Sequence, residues 1–256
     1  MTLAIQDLSF SYPRKPVLAD VNAGPLPRGA VTALIGPNAA GKSTLFRCIG
    51  GLLPRYTGSI ALDGAPLEAL APRERVRKVT FMPQFFAANA ALSVFDVVLL
   101  ARKSLSGWAV DAADTHAVAA VLDNFGIGHL SEADIGELSG GQQQMVSVCQ
   151  ALVREPDVFL FDEPTSALDL KHQLEIMTAI ARESRRRNAV TMVALHDLNL
   201  AARFADHAVL MRAGAVAADG LPEAVLADTA LGETYGVAID LITHERAGLH
   251  VSASLR

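Results

Sequence analysis

Only two cysteines, Cys48 and Cys149, stand in the 256 residues, far apart and without companions. That scarcity excludes a thiol zinc cluster and predicts two reduced core residues on helix faces. Aromatic residues make up 5% of the chain, so its core must be built mainly from Ala, Val and Leu. No uncharged apolar run approaches the ~18–20 residues that a membrane span needs. Met1 to Asp7 alternates and carries an acid, which excludes a signal peptide. The two absences predict a cytosolic chain that meets a membrane only through a partner. Positive charge is short too: 22 Lys and Arg against 27 Asp and Glu leave a net charge of −5. A broad nucleic-acid-binding field is not expected from that balance. The basic runs Arg73–Lys78 and Arg182–Arg187 read as solvated helix faces or ends.

What is present is 51% hydrophobic residues with 19% charged ones, enough for one large α/β domain or a core with an inserted subdomain. Residues 3–12 alternate as a half-buried strand does, and Gly58–Gly64 reads as a strand running into an Asp-Gly turn. Val31–Ile35 is a short β-rich run, and Lys42–Ile49 continues as a helix. From about 86 to 150 the chain is Ala- and Leu-rich. Helical spacing shows at Val94, Val97, Val98 and Ala101, then at Val118, Val121 and Leu122. Val158–Phe161 and Val190–Leu195 are continuous apolar runs expected of strands buried on both faces of a parallel sheet. A helix over about 170–186 between them completes a βαβ unit. From Leu221 a short helix and a final strand are expected.

Three segments carry chemistry. Gly36-Pro37-Asn38-Ala39-Ala40-Gly41-Lys42-Ser43-Thr44 fits the phosphate-loop pattern G-x-x-x-x-G-K-[ST], in the strand, Gly-rich turn, helix order that it needs. Backbone N–H groups from Ala39 to Thr44 can wrap a β-phosphate, Lys42 adds a mobile positive charge, and the Ser43 hydroxyl is the expected Mg²⁺ ligand. Asp162 follows four apolar residues, at the carboxyl end of a strand where α/β sheets place ligands. It would hold Mg²⁺, directly or through water, while Glu163 orients or deprotonates an attacking water. Ser139, Gly140 and Gly141, opening an expected helix from Gln142 to Val153, form a second anion site.

A phosphate loop, Leu138-Ser139-Gly140-Gly141-Gln142 and then Val158–Glu163, in that order, resemble an ATP-binding-cassette (ABC) ATPase domain from Leu3 to about Gly214. The resemblance implies a P-loop NTPase α/β core, a mostly parallel sheet with helices on both faces. It also implies an N-terminal antiparallel β subdomain, an inserted helical subdomain at about 86–150 and a C-terminal extension at about 221–256. The ligands implied are ATP and Mg²⁺. In this family the signature segment, Ser139 to Gln142 here, caps ATP held by a second copy, so the chain should work as a pair. Gln84 matches the glutamine that touches Mg²⁺ or water and links core to helical subdomain. His196 matches the histidine that bonds the γ-phosphate, Asp169 the loop that crosses the dimer interface, and Tyr12 the aromatic stacked on adenine. Two departures stand out: Ala39 where Gly is usual, and Met145 where Arg often follows the glutamines.

Thr165–Gln173, Leu195–Arg203, Ala205–His207 and Tyr235-Gly236-Val237 are similar to a narrower branch, the ATPase subunits of bacterial importers for ferric siderophores, haem and cobalamin. That likeness implies a peripheral subunit on the cytoplasmic face of the inner membrane. Its partners would be multi-span permease subunits, with the Phe85–Leu105 region near the permease groove, and indirectly an extracytoplasmic substrate-binding protein. A ferric siderophore is the expected cargo, with haem and cobalamin as alternatives. The rival class is a soluble ABC ATPase without a transporter, such as a cofactor-assembly factor. No heptad insertion of the DNA-maintenance type interrupts the cassette.

Overall fold

The computed structural model describes residues 2–84, 92–104, 107, 109–166, 168–244 and 248–255. In chain order come β1 (Thr2–Tyr12), β2 (Lys15–Pro27), β3 (Ala30–Ile35), α1 (Lys42–Ile49), β4 (Thr57–Leu62), β5 (Ala65–Pro66), α2 (Pro72–Lys78) and β6 (Val79–Met82). Helices α3 (Val94–Lys103), α4 (Ala112–Asn124) and α5 (Gly140–Leu152) follow. Next are β7 (Val158–Asp162), α6 (Leu170–Arg187), β8 (Val190–Ala194), α7 (Leu198–Phe204), β9 (His207–Arg212) and β10 (Ala215–Gly220). The last elements are α8 (Pro222–Ala227), α9 (Thr229–Tyr235), β11 (Val237–His244) and β12 (Gly248–Leu255).

The central sheet has the order β10-β9-β3-β8-β7-β6, parallel throughout except for β10 at its edge. Its apolar strands serve two cores at once. Phe159, Phe161, Val193, Ala208 and Leu210 pack with α5, α6 and α7, while Val158, Leu160, Met192, Val209 and Met211 pack with α1 and the N-terminal strands. A period of two explains the division, because successive side chains leave opposite faces. The N-terminal sheet, β2-β1-β4-β5, is antiparallel. Alternation in β1 changes phase across Asp7, at φ 49°, from Leu3 and Ile5 to Leu8 and Phe10. Asp63 and Gly64 both take positive φ, as the tight hairpin turn between β4 and β5 requires.

Helices α3 to α5 lie between β6 and β7, and their buried faces, Val94 and Val98, Val118 and Leu122, Val146 and Cys149, join the core that holds Phe159. Asp114 on α4 ties α3 down, accepting from Lys103 Nζ and Arg102 Nε, both at 2.8 Å. Those two cations hold its carboxyl down to about 2. Both cysteines are free and buried, Cys48 on α1 and Cys149 on α5. Burial pushes the Cys48 thiol up to about 12 and the Cys149 thiol further.

Three expectations are corrected. The run Arg73–Lys78 is not merely a solvated face, for Arg75 is buried and donates to Cys48 O at 2.6 Å, Ile49 O at 3.0 Å and Tyr56 Oη at 3.1 Å. It supplies donors to the last carbonyls of α1, which have no partner inside the helix. In the second run, Arg186 and Arg187 grip the buried Glu183. Helix α5 starts at Gly140, ahead of Gln142, because Ser139 accepts from Gln142 N and Gln142 Oε1 accepts from Ser139 N. The tail holds two helices and a hairpin. Gly236, at φ 70°, ends α9, and β11 pairs with β12 from Val237↔Leu255 to His244↔Gly248.

Candidate functional site

The loop 36–41 leaves the carboxyl end of β3 and turns directly into α1. Gly36 sits at φ 146°, where an added Cβ would lie 2.3 Å from Met211 O, and Gly41 at φ 106° would press on Leu18 Cδ2 at 2.8 Å. Ala39 occupies the left-handed region at φ 63°. The position does require positive φ, and Ala there costs about 1 kcal/mol relative to Gly. Helix α1 has no side-chain cap and no acid in its first turn, which leaves its first N–H groups and dipole available to an anion. Lys42, 5% exposed, folds back on its own loop, donating to Gly36 O at 2.6 Å and Pro37 O at 3.2 Å. Burial lowers its pKa, opposed by Glu163 and Asp162. The ammonium is thus parked on two carbonyls within reach of a phosphate.

Strand β7 ends at Asp162, 2% exposed, beside the Ser43 hydroxyl, with Oδ1 lacking any partner. Burial raises its pKa first of all, and the Glu163 charge adds to that, against Ser43 and Lys42. Glu163 stands at φ 55°, a left-handed conformation costly for a residue with a Cβ. Its backbone is pinned all round. The N–H donates to Ala194 O at 3.2 Å, and the carbonyl accepts from Gln144 Nε2 at 3.2 Å and from Ser166 N and Oγ. Its carboxylate takes Gln84 Nε2 on Oε2 and His196 Nε2 on Oε1. His196 leaves β8 one residue before Asp197, which caps α7 through Asn199 N and Leu200 N.

A cleft of about 730 Å³ opens over these groups. The structure brings Tyr12, Asn38 to Thr44, Gln84, Glu163 and His196 to its walls, together with Lys15 and Ala213. Tyr12 ends β1 at the rim, edge-on to Phe10 with centroids 5.0 Å apart. Ser139, Gly141, Gln142 and Asp169 stand elsewhere, around a second cleft of about 570 Å³ with His129, Lys171 and His172. Gly140 opens α5 above the same place. Asp169 caps α6, accepting from His172 N at 3.0 Å, with His172 Nδ1 at 2.7 Å. The two phosphate-type motifs of one chain therefore do not face each other. Ala167, beside Asp169, and Phe85–Ala91 and Leu105, expected near a permease, lie outside the described residues.

The ABC transporter family pattern matches residues 20–166 of this chain. The chain belongs to the ABC transporter family. It is an ABC-type ATPase, and ATP is its substrate. Among relatives, the hemin import ATP-binding protein HmuV of Thermobifida fusca is 34% identical over 256 residues, covering 100% of this chain and 89% of that protein. The iron(3+)-hydroxamate import ATP-binding protein FhuC of Bacillus subtilis is 29% identical over 247 residues, covering 96% and 91%. Of solved structures, an inward-facing metal-chelate type ABC transporter superposes with a TM-score of 0.83 at 24% identity, over 100% of this chain and 98% of that one. A dimeric ATP-binding cassette bound to ADP and phosphate superposes at 0.76 with 25% identity, over 86% and 98%.

In this ABC ATPase, reading the sequence passed over Gln144. Its buried amide reaches from the signature helix to the carbonyl of Glu163. A glutamine on the inward face of an apolar helix was the available signal, since a buried amide needs partners. No helix among the described residues is long and apolar enough to cross a membrane.

Proposed function

We propose that this ABC ATPase powers import of an iron chelate, haem or a ferric hydroxamate siderophore, by hydrolysing ATP while paired with a second copy and docked beneath multi-span permease subunits. Those subunits would place the chain on the cytoplasmic face of the membrane, peripherally, and an extracytoplasmic binding protein would deliver the cargo. The carrying observation is the whole-chain likeness to HmuV, which extends through the tail beyond the nucleotide motifs. FhuC supports a hydroxamate cargo in the same way, so a siderophore is not favoured over haem.

Within this reading, ATP lies in the first cleft with adenine against Tyr12 and its phosphates on the N–H groups from Ala39 to Thr44. Lys42 leaves the Gly36 carbonyl for the β- and γ-phosphates, trading a neutral acceptor for an anion. Ser43 and Asp162 fit Mg²⁺: the unpartnered buried oxygen of Asp162 beside a hydroxyl is a hard-oxygen donor pair, and Gln84, which holds the neighbouring Glu163 carboxylate, would join them through its amide oxygen. The ion would neutralise phosphate charge there. Glu163 takes the proton of the attacking water, and Gln84 and His196, which hold its carboxylate, turn toward water and the γ-phosphate. Ser139, Gly140, Gly141, Gln142 and Asp169 serve the partner's ATP, in keeping with their distance from this chain's own cleft.

The test is growth of a deletion strain under iron restriction on single iron sources. Wild-type gene restores growth on haem or on ferric hydroxamates, while Glu163→Gln, expected to hydrolyse roughly 10²–10⁴-fold more slowly when the positioned base is lost, restores none. Unchanged use of every iron chelate after deletion rejects the importer assignment.

A further inference from the structure

The segment Tyr235-Gly236-Val237 stands far from the phosphate loop in sequence and contributes nothing to the walls of the cleft. Yet the Tyr235 hydroxyl accepts a hydrogen bond from Gly36 N at 2.9 Å. Gly36 is the first residue of the loop, so its two backbone groups are held from opposite sides. Tyr235 takes the N–H from behind, and Lys42 gives to the carbonyl from within, at 2.6 Å. The site of this bond is largely buried, enough for desolvation to raise the pKa of the Tyr235 hydroxyl. Met211 O blocks the other side of Gly36, where even a Cβ has no room.

Tyr235 is itself fixed. It is the last residue of α9, which starts at the Asp228 cap, and Arg212 at the end of β9 holds Glu233 on the same helix at 3.0 Å. Beyond Gly236 the hairpin β11–β12 reaches α7, the helix that follows His196. Asn199 donates to Val251 O at 3.3 Å and accepts from Val251 N at 2.8 Å. Asn199 lies in the first turn of α7, three residues past His196. One tail therefore touches both the start of the phosphate loop and the helix that follows the switch histidine.

We propose that Tyr235 is a positioning residue for the phosphate loop, and that the C-terminal residues 221–244 and 248–255 act as a strap holding that loop and the His196 segment in register. The inference rests on residues 36–44 being the phosphate loop. When ATP draws Lys42 away from Gly36 O, the Tyr235 bond is what still fixes the loop's first peptide. Loss of the hydroxyl therefore weakens the ATP-bound state more than the free one, although the hydroxyl never meets the nucleotide.

Tyr235→Phe keeps the ring and removes the acceptor. The expected result is a KM for ATP raised roughly 3- to 10-fold, the cost of one backbone donor left without a partner, with kcat within about twofold of wild type. Hydrogen exchange of the Gly36 amide in the ATP-bound protein should speed up by a similar factor. A purely structural tyrosine gives the other pattern, a lowered melting midpoint with KM and Gly36 exchange unmoved, and that result overturns the proposal. Lys42→Ala, measured in parallel, separates the premise from the inference. If it binds ATP as tightly as wild type, the loop assignment fails; if it loses ATP while Tyr235→Phe keeps wild-type KM, only the strap fails.

Discussion

Asp162 carries the sharpest conflict between stability and use in the molecule. Its carboxylate is 2% exposed, one oxygen has no partner, and burial lifts its pKa above the ordinary carboxylate range. A raised folded-state pKa means the free protein binds that proton more tightly than the unfolded chain does. Stability from this group is present below the unfolded pKa and is lost as pH rises through the folded one. Asp162→Asn should therefore melt at a higher temperature than wild type near pH 7, with the gap closing toward pH 4, while losing Mg²⁺-dependent hydrolysis. Melting curves across that pH range check it; a variant that melts lower at pH 7 contradicts the account. At this scale the motif residues were legible, because phosphate chemistry restricts residue type at fixed spacing. Ala39 is instructive, for the sequence showed only a departure from the usual Gly, and it is the backbone at φ 63° that gives the departure its cost. Gln144 and Tyr235 were not legible as site residues. Each acts through a single hydrogen bond to a backbone atom distant in sequence, and no spacing rule reports such a bond.

Secondary elements were legible wherever one periodicity ran without interruption. The helix Lys42–Ile49 and the buried strands at Val158 and Val190 appear with almost the expected ends. One final strand was expected in the tail and two are present: β11 carries Val237, Ile239 and Leu241 in alternation, whereas β12, with Ser252, Ala253 and Ser254 and only Val251 buried, gives a weaker pattern. Arg75 was misread for a different reason. An arginine in a basic run looks solvated until the fold sets the open end of another helix against it. Arg75→Ala should remove four charge-assisted bonds, taking both guanidinium donors from Ile49 O and leaving Cys48 O only the Gly51 N–H. The expected loss is about 2–3 kcal/mol of unfolding free energy, read from denaturant midpoints, with the ATP KM nearly unchanged. A loss below about 0.5 kcal/mol, the scale of an ordinary surface substitution, contradicts the capping role.

For the whole molecule, the governing fact is that one chain carries two phosphate-type motifs opening into different clefts. A pair related by a two-fold axis solves this, since an isologous contact sets each signature helix over the partner's phosphate loop twice over. Gln144 then gives the pairing a consequence inside each chain: the helix that caps the partner's ATP also holds the carbonyl of its own Glu163. The most direct measurement mixes two inactive variants. Lys42→Ala removes the phosphate-contacting charge, and Ser139→Arg blocks closure over the partner's nucleotide while leaving that chain's own ATP site intact. Either variant alone should hydrolyse ATP at background rate. In an equal mixture half the pairs combine one chain of each kind, with one site wholly mutated and one wholly intact, so roughly a quarter of wild-type activity returns. A mixture that stays at background, or Ser139→Arg that alone turns over ATP at the wild-type rate, contradicts shared sites.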